Sequence, residues 1–336
     1  MILVTGGTGL VGSHLLFHLS EKEVKIRAIY RTKSSLERVQ KVFNYYTNDS
    51  KYFDAIQWMQ ADITDVPSMI PAFKNVDIVY HCAAFISFNP KDYREMRKVN
   101  IHGSAIITNL AIDAKVKKLC YVSSIAAIGN PIEGEITNEN CEWNKQADNS
   151  GYAITKYGGE IETWRASQEG IPVIIVNPGV ILGGGNWESG SGKLFTQVYK
   201  GFKYYTEGVT GFVSVKDVVK TMISLTESDI QNERFILVSE NLTFKDVLFQ
   251  IADSLGTKRP TIHIKPWQTS LIWRISSLIS LLSGRAPRLS KYSARSSHMI
   301  SNYSSEKIKE LLAFKFENIH TVIEEVGNQF KGDYQS

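Results

Sequence analysis

The sequence predicts an α/β fold: a doubly wound parallel sheet followed by a smaller, discontinuous and mainly helical C-terminal lobe. Three observations predict it. Short apolar segments alternate with helix-like ones through the first half, a glycine-rich turn joins the first such pair, and the pattern changes after Pro178. Of the 336 residues, 43% are hydrophobic and 21% are charged. These proportions exclude a disordered or collagen-like chain, and the length allows two domains.

Six short segments rich in Val, Ile or aromatic residues are the expected strands, since strands buried on both faces are apolar throughout. They are residues 1–5, 24–30, 56–61, 76–81, 117–123 and 172–177. The expected helices between them are residues 9–21, 34–45, 65–74, 91–114 and 151–169. This alternation predicts helices on both faces of a parallel sheet.

The pattern changes after Pro178, where five glycines between residues 183 and 192 indicate a loop-rich segment. Residues 212–238 are expected to return to the sheet with one helix and one strand. The remaining predicted helices are residues 193–201, 243–256, 267–283, 304–312 and 318–330. The smaller lobe is therefore expected to be built from two separate pieces of the chain.

The turn after the first strand has the features of a phosphate-binding loop. Gly6 tolerates the positive φ of a tight turn, Gly9 admits a pyrophosphate, and Gly12 lets the helix pack closely on the strand. The helix N-terminus would offer free N–H groups and a positive dipole end to phosphate. A turn with a purely structural role is the alternative. The residues predicted to bind a dinucleotide here are Gly6, Thr8, Gly9, Leu10, Val11 and Gly12.

The end of the second strand selects between cofactors. NAD sites usually carry an acidic residue there, which accepts hydrogen bonds from the ribose hydroxyls. Residues 24–36 contain no Asp or Glu, whereas Arg31 and Lys33 are suited to a 2′-phosphate. We therefore predict NADP as the cofactor, with NAD possible. A solvated basic loop is the alternative interpretation of the two cations.

The ends of the third and fourth strands offer further cofactor contacts. Asp62 would accept from the adenine amino group while Ile63 packs on the ring, and Asp62 or Thr64 could also cap the helix at residues 65–74. Small side chains at Ala83 and Ala84 would allow the cofactor to approach the fourth strand closely.

A tyrosine and a lysine at helical spacing are the candidate acid–base pair. Tyr152 and Lys156 share one face of the predicted helix. The ammonium would lower the pKa of the phenol and make it a general acid or base for a carbonyl/alcohol pair. Ser124 ends the fifth strand, where parallel sheets open onto their ligand crevice, and would orient the substrate oxygen. Asn100, within a long helix, could hold a water that relays protons to Lys156.

Together these segments resemble the extended short-chain dehydrogenase/reductase family (the NAD-dependent epimerase/dehydratase superfamily). The matching motifs cover most of residues 1–240: TGGTGLVG (5–12), the Asp62 turn, HCAA (81–84), VNIHGS (99–104), YVSSIAAIG (121–129), YAITK (152–156), NPG (177–179) and FVSVKDVV (212–219). The resemblance implies a Rossmann domain and a catalytic triad of Ser124, Tyr152 and Lys156, with Asn100 as relay. It also implies that Pro178 and Gly179 belong to a loop that runs past the nicotinamide of the cofactor.

Within this family the chain looks like the dihydroflavonol-4-reductase-like branch. Dehydratases place Asp-Glu after the catalytic residue, where this chain has Ile125-Ala126. Epimerases usually have Tyr at the position of Ile128, and often Arg-Asp-Phe where this chain has Thr210-Gly211-Phe212. The loop NPGVILGGGNWESGSGKLF (177–195) and the segment GRAPRLS (284–290) resemble the reductase branch.

The predicted function is NADP-dependent reduction of a ketone or aldehyde of a small, partly apolar substrate. An epimerase of sugars or nucleotide sugars with tightly bound NAD(P), and a non-catalytic dinucleotide-binding sensor, are the alternatives. Residues 1–179 plus 212–239 would form the dinucleotide-binding domain, and residues 180–211 plus 240–336 the substrate-binding lobe. The candidate pocket residues, for which core packing is the alternative, are Phe85, Ser87, Phe88, Asn177 and Leu194.

Charge and cysteine content suggest where the protein acts. A net charge of +4 does not indicate a nucleic-acid-binding surface. The three scattered cysteines fit a reducing compartment and have no metal-ligand spacing. The apolar run at residue 2 leads directly into a glycine turn rather than a signal-peptide cleavage site, so we expect a cytoplasmic protein without a bound metal.

Residues 267–283 are apolar at helical spacing but contain Arg274, so we expect no stable membrane span. We expect an amphipathic helix packed on the protein or lining a substrate pocket, with membrane-surface contact as the alternative. A homodimer through the helices at residues 91–114 and 151–169 would be usual for the family.

Overall fold

The computed structural model describes residues 1–22, 24–131, 135–283 and 289–335. Its strands are β1 (Ile2–Thr5), β2 (Ile26–Tyr30), β3 (Gln57–Gln60), β4 (Ile78–His81), β5 (Lys118–Val122), β6 (Val173–Pro178), β7 (Val180–Leu182), β8 (Tyr204–Tyr205), β9 (Val209–Ser214), β10 (Glu233–Leu237), β11 (Glu240–Thr243) and β12 (Ile262–His263). Its α-helices are α1 (Leu10–Ser20), α2 (Ser35–Asn44), α3 (Lys51–Asp54), α4 (Val66–Met69), α5 (Tyr93–Arg97), α6 (Ser104–Asp113), α7 (Gly151–Gln168), α8 (Gly192–Tyr199), α9 (Val215–Glu227), α10 (Phe244–Leu255), α11 (Pro266–Ser283), α12 (Lys291–Ser296), α13 (Glu306–Leu312) and α14 (Ile319–Gln335).

Seven strands form one parallel sheet in the order β10-β6-β5-β4-β1-β2-β3. The six strands predicted for the first half are all in this sheet, and the predicted return strand is β10. The strand order reverses between β1 and β4, so the loops that follow these strands diverge and open a crevice at their carboxyl ends. The predicted doubly wound parallel sheet is confirmed.

Two apolar layers enclose this sheet. One face is covered by α1, α2 and α9 and the other by α6 and α7. A central strand such as β6 is buried along its whole length, which explains its continuous run of apolar residues. The fold thus fixes the strand ends rigidly, and the candidate site is built on them.

The smaller lobe contains more strand than we predicted. β7 pairs in parallel with β9, β9 pairs antiparallel with β11, and β8 pairs with β12. Such strands of two to six residues carry too little periodicity to be recognised in a sequence. β9 also crosses the predicted boundary between residues 211 and 212, while the division into two domains otherwise stays a prediction.

The helix predicted at residues 91–114 is present, but it is not α-helical throughout. A 3₁₀ turn at Pro90–Asp92 leads into α5, and a π-helix at Lys98–Gly103 separates α5 from α6. A π-helix inserts an extra residue per turn and commonly lies at functional sites. Asn100 lies in this widened segment, which faces the end of β4.

The segment at residues 44–55, whose first residue Asn44 ends α2, lies between the first helix and the last one. The Tyr46 ring stacks on Phe17 of α1 with ring centroids 4.2 Å apart, and its hydroxyl lies 2.6 Å from His14 Nδ1. The Tyr45 hydroxyl donates to Asp333 of α14. These tyrosines are therefore packing residues.

α11 is amphipathic, but the expectation that its apolar side packs on the protein is wrong, while the alternative that it lines a substrate pocket stays a prediction. Leu271, Ile275 and Leu278 are 53%, 49% and 57% exposed, whereas Thr269 is only 6% exposed. Among the described residues, no helix has the length and hydropathy needed to cross a membrane. Most of the segment GRAPRLS lies outside the described residues.

Candidate active site

The turn after β1 has the geometry that its glycine spacing predicts. Gly6 has a φ of +68°, and a Cβ there would lie 2.5 Å from the backbone nitrogen of Ala83. A Cβ on Gly12 would lie 2.2 Å from the Gly6 carbonyl oxygen. Gly9 is exposed, and among the described residues a Cβ there would meet only the Gly6 carbonyl oxygen, at 3.3 Å. Glycine at 6 and 12 is thus required by the protein itself, while Gly9 leaves room for a ligand.

The N-terminus of α1 can receive a pyrophosphate beside Gly9. Gly9 is the N-cap, no side chain caps the helix, and its first turn contains no acidic residue. Its first N–H groups are therefore available to phosphate oxygens. Thr8 and Leu10 are half-buried next to this turn, whereas the Val11 side chain belongs to the core, so Val11 can contribute only its backbone. The residues present fit a dinucleotide.

Two exposed cations lie at the end of β2. The side chains of Arg31 and Lys33 form no ion pair within the described part of the chain. Burial acts to raise the pKa of the Asp62 carboxyl, but hydrogen bonds from Thr64 and the charges of Arg31 and Lys98 outweigh it and lower that pKa. The crevice therefore carries two available positive charges beside an ionised carboxylate.

Asp62 and Ile63 both have structural partners. Asp62 Oδ1 accepts from the backbone nitrogen and from Oγ1 of Thr64, both at 2.8 Å, and so closes the turn before α4. It does not cap that helix, whose N-cap is Asp65 without a side-chain bond. Ile63 is buried, and its Cδ1 would lie 2.7 Å from a Cβ on Gly103. Their roles toward the adenine stay predictions.

The remaining predicted cofactor contacts lie around the same crevice. Ala83 is half-buried and Ala84 is exposed after β4. Pro178 ends β6, and a Cβ on Gly179 would lie 2.4 Å from the Gly211 carbonyl oxygen. Glycine at 179 is therefore required for close packing against β9, whatever it does for a nicotinamide.

Ser124 and Tyr152 come together at the end of β5. Ser124 Oγ accepts from the backbone nitrogen of Ala126 at 3.1 Å, so its hydroxyl proton is free to be donated elsewhere. Tyr152 is the second residue of α7, whose N-cap Ser150 accepts from Ala153. Burial raises the pKa of the Tyr152 phenol to about 12, while a hydrogen bond with Ser124 acts in the opposite direction.

Lys156 does not have the environment that we predicted. Its Nζ donates to the Tyr121 hydroxyl at 2.8 Å and to the Val122 carbonyl oxygen at 2.7 Å. Burial lowers its own pKa to about 7, against the favourable charge of Glu160. The expected lowering of the Tyr152 pKa is therefore wrong for this arrangement, because the ammonium is directed at Tyr121 and burial dominates at Tyr152.

The Asn100 side chain holds the loop after β4 in place. Its Oδ1 accepts from the Phe85 backbone nitrogen at 2.7 Å, and its Nδ2 donates to the Phe85 carbonyl oxygen at 2.9 Å and to Thr155 Oγ1 at 3.1 Å. Both amide protons are used, so only one acceptor position of Oδ1 remains for a water. The role of Asn100 as a proton relay stays a prediction, and its side chain also holds the backbone of Phe85 in place.

The sequence did not reveal a buried carboxylate below the candidate catalytic residues. Glu160 is 1% exposed, accepts from Ser123 Oγ at 2.7 Å and from Asn177 Nδ2 at 2.9 Å, and pairs with Arg234 at 3.2 Å. Asn177 Nδ2 also donates to the Ser124 carbonyl oxygen at 3.0 Å. Glu160 lies four residues after Lys156, and this i, i+4 spacing was the available signal.

A buried histidine was missed as well. His81 Nδ1 lies 2.7 Å from Thr5 Oγ1, and its Nε2 lies 3.0 Å from Ser104 Oγ. Because Ser104 donates its own proton to the Asn100 carbonyl oxygen, Nε2 must donate to Ser104 and Nδ1 must accept from Thr5. Burial lowers the pKa of His81 to about 3, with the charge of Lys156 adding to the effect, so the ring is neutral.

The candidate pocket residues divide into two groups. Phe88 is exposed, makes an edge contact with Tyr152 at 5.8 Å between ring centroids, and is stacked with Tyr292, which sequence reasoning missed. Phe85 is half-buried and packs against one of the apolar layers of the sheet, and the Ser87 hydroxyl donates to Asp92. The other group comprises Asn177, which is fully buried, and Leu194, which packs in the core of the smaller lobe.

The two histidines of α1 have ordinary partners. His14 is buried against Tyr46 and the Gly184 carbonyl oxygen, and His18 lies 2.9 Å from Glu21. Within the described ranges, no group of three or more His, Cys, Asp or Glu side chains is arranged to hold a metal ion.

Comparison with known proteins identifies a family. A sequence model described as the NAD dependent epimerase/dehydratase family matches residues 2–237. The chain is 27% identical over 266 residues to a sterol demethylase protein B of Methylococcus capsulatus, covering 79% of this chain and 77% of that protein. It is 24% identical over 341 residues to a putative dihydroflavonol 4-reductase of Synechocystis, covering 98% of this chain and 94% of that protein.

Solved structures confirm the fold. The chain superposes on the UDP-glucose 4-epimerase of Thermotoga maritima, solved with UDP-glucose, with a TM-score of 0.76 at 19% identity, covering 99% of both chains. At this identity the similarity shows the architecture and does not distinguish between reactions.

Proposed function

The chain belongs to the NAD dependent epimerase/dehydratase family, and we propose that within it the protein is an NADP-dependent reductase of a ketone or aldehyde on a small, partly apolar substrate. The observation that carries the proposal is the placing of Tyr152 beside Ser124, with the apolar ring of Phe88 against the phenol. An exposed aromatic ring next to a proton donor suits a substrate that is apolar except at its carbonyl.

A protonated phenol at this position can serve as the proton donor of a carbonyl reduction. NADPH, when bound, supplies the hydride to the carbonyl carbon. Ser124 donates a hydrogen bond to the substrate oxygen and orients it. Tyr152, whose pKa of about 12 keeps it protonated at neutral pH, gives its proton to the developing alkoxide. Lys156, which donates to Tyr121 and to the Val122 carbonyl oxygen at this edge of the sheet, would hold the ribose hydroxyls of the bound cofactor.

The cofactor proposal depends on the charges at the end of β2. Arg31 and Lys33 would bind the 2′-phosphate of NADP, the dinucleotide's pyrophosphate would lie at Gly9, and Asp62 with Ile63 would contact the adenine. Residues 180–211 plus 240–336 would carry the choice of substrate. A thermal-melt comparison should show greater stabilisation by NADPH than by equal concentrations of NADH or UDP-glucose, because stabilisation rises with the logarithm of ligand concentration over Kd.

Tyr152→Phe tests the catalytic assignment. We expect the rate of NADPH-dependent reduction of an apolar aldehyde and ketone panel to fall about 10²- to 10⁴-fold, the usual contribution of a general acid, with NADPH affinity retained. Tyr157→Phe on the same helix is the matched control, since Tyr157 stacks on Trp143 away from the triad. Unchanged reduction by Tyr152→Phe would reject the assignment.

Epimerisation is the second candidate, because the family includes such enzymes and the fold superposes on one. It would require a tightly held cofactor and a cation for a nucleotide diphosphate. Where epimerases often have Arg-Asp-Phe, this chain has Thr210, Gly211 and Phe212. Stoichiometric cofactor retained through purification, with no net oxidation of added NADPH, would favour the epimerase over the reductase.

We further propose that the protein acts in the cytoplasm as a homodimer. The reducing compartment is supported by three free cysteines. The dimer is supported by exposed apolar side chains on α7, where Ile154 and Ile161 are 39% and 47% exposed. Light scattering of the purified chain tests the dimer.

A further inference from the structure

α11 turns an apolar surface away from the protein. The side chains of Trp267, Leu271, Ile272, Ile275 and Leu278, which we call the α11 apolar face, are 65%, 53%, 42%, 49% and 57% exposed. They recur at spacings of three and four residues and therefore form one stripe along the helix. A stripe of this kind on a helix of 18 residues indicates a binding surface for another protein or for a membrane.

The side of α11 that faces the protein is polar. Thr269 is 6% exposed, and its Oγ1 lies 2.9 Å from His298 Nε2. Ser276 Oγ accepts from the backbone nitrogen of Leu289 at 3.2 Å. These hydrogen bonds fix the rotation of the helix, so the outward direction of the apolar face is built into the fold. An ordinary surface helix has the opposite orientation.

The sequence around α11 is rich in positive charge. Residues 254–305 contain eight Lys or Arg and no Asp or Glu, in a chain whose net charge is only +4. Asp253 pairs with Arg259, and Asp148 pairs with Lys291 and Arg295. The eight cations are Lys258, Arg259, Lys265, Arg274, Arg285, Arg288, Lys291 and Arg295.

Cations lie directly beside the apolar face. Lys265 precedes the first turn of α11, Arg274 lies in its middle, and both are exposed without an ion pair among the described residues. The Arg274 guanidinium lies over the Trp273 ring at 4.9 Å from its centroid. Long cationic side chains at the border of an apolar stripe, together with an exposed tryptophan, are typical of helices that lie in a lipid interface.

We propose that the α11 apolar face docks on the surface of a bilayer containing anionic phospholipids. Lipid headgroups would neutralise Lys265 and Arg274 while the stripe enters the headgroup–acyl boundary. A second copy of the chain is disfavoured as occupant, because a symmetric contact would bring the Lys265 and Arg274 side chains of two copies together. The docking is independent of the proposed reductase activity.

Vesicle flotation with the full chain tests the proposal. We expect the protein to float with vesicles of phosphatidylcholine containing about one third phosphatidylglycerol, and to bind vesicles of phosphatidylcholine alone at least about tenfold more weakly at roughly 0.1 M salt. About 1 M salt should weaken the binding, because screening reduces the attraction of the cations for the headgroups.

Two variants distinguish binding through the α11 apolar face from non-specific adsorption of the protein to vesicles. Leu271→Gln combined with Leu278→Gln should weaken vesicle binding at least about tenfold, since both exposed side chains lose their burial in lipid. Leu311→Gln is the matched control, a leucine 49% exposed on α13, and should bind like the unsubstituted chain. Lys265→Gln with Arg274→Gln should weaken binding only to the anionic vesicles.

Three results would overturn the proposal. The first is a chain that stays at the bottom of the gradient with anionic vesicles. The second is equal binding by the double leucine variant and the Leu311→Gln control. The third is a dimer, seen by light scattering without vesicles, that the double leucine variant dissociates, because this would assign the face to a second copy. None of these measurements uses turnover, so failure of the reductase proposal would leave the docking result intact.

Discussion

Glu160→Gln should destabilise the folded chain through a change confined to the interior below the triad. Glu160 Oε2 accepts from Ser123 and Asn177, and Oε1 pairs with Arg234 at 3.2 Å. Glutamine has nearly the same shape but presents an NH₂ group at one of these two positions. If the NH₂ group faces Arg234, two donors meet; if it faces Asn177, that amide loses its acceptor.

The size of the effect follows from this geometry. Loss of the charge-assisted bond costs about 1.5–3 kcal/mol, and a buried donor without an acceptor costs about 1–3 kcal/mol. Arg234 keeps the Glu139 and Cys141 carbonyl oxygens as acceptors, which places the total near the lower end. We therefore expect a loss of roughly 3 kcal/mol in the free energy of unfolding, within the usual range for breaking a buried pair.

Urea unfolding of Glu160→Gln and Glu162→Gln measures this directly. Glu162 lies on the same helix and pairs with Arg165, also at 3.2 Å, but both side chains are about one third exposed. The control should lose less than about 1 kcal/mol, because exposed pairs contribute little. A Glu160→Gln variant within about 1 kcal/mol of the unsubstituted chain would show that burial does not make this pair important for stability.

Three further predictions address the cofactor site and Lys156. Gly12→Ala should lower the melting temperature and abolish the stabilisation by NADPH, because its Cβ would lie 2.2 Å from a backbone oxygen. Gly9→Ala should keep the melting temperature of the unsubstituted chain and lose only the stabilisation by NADPH. Equal melting temperatures for the two variants would contradict this prediction. Combined Arg31→Ala and Lys33→Ala should raise the Kd for NADPH about 10- to 100-fold in a fluorescence titration and leave NADH unchanged. The free energy of unfolding of Lys156→Met should exceed that of the unsubstituted chain by the largest amount below pH 7. There the lysine is protonated in both the folded and the unfolded chain, so the unsubstituted protein bears the full cost of burying a charged ammonium. The advantage should shrink between pH 7 and 10 by up to about 4 kcal/mol, as the folded lysine (pKa about 7) loses its proton before the unfolded one; a pH-independent difference would contradict the lowered pKa.

The sequence predicted the features that depend on local pattern. Strands buried on both faces appear as apolar runs, and the glycine turn at residues 6–12 is specified by steric limits that operate over a few residues. The position of Ser124 and Tyr152 follows from the same logic, since the end of a parallel strand and the first turn of a helix can both be recognised in a sequence.

Other features depend on contacts between distant segments and could not be predicted. Glu160 meets Arg234 across 74 residues, and His81 meets Thr5 across 76. Lys156 donates to Tyr121 rather than acting on Tyr152, which depends on the direction of one flexible side chain. The outward direction of the α11 apolar face was also hidden, because periodicity shows that a helix has an apolar side and does not show which way it points.

The stoichiometry of NADPH oxidation shows whether the protein is a reductase or an epimerase. The purified chain would be incubated with excess NADPH and a panel of apolar aldehydes and ketones, and NADPH absorbance and alcohol product would be measured together. We expect one alcohol formed for each NADPH oxidised, with the rate lost in Tyr152→Phe and kept in Tyr157→Phe. Turnover of a sugar nucleotide with no net loss of NADPH would contradict it.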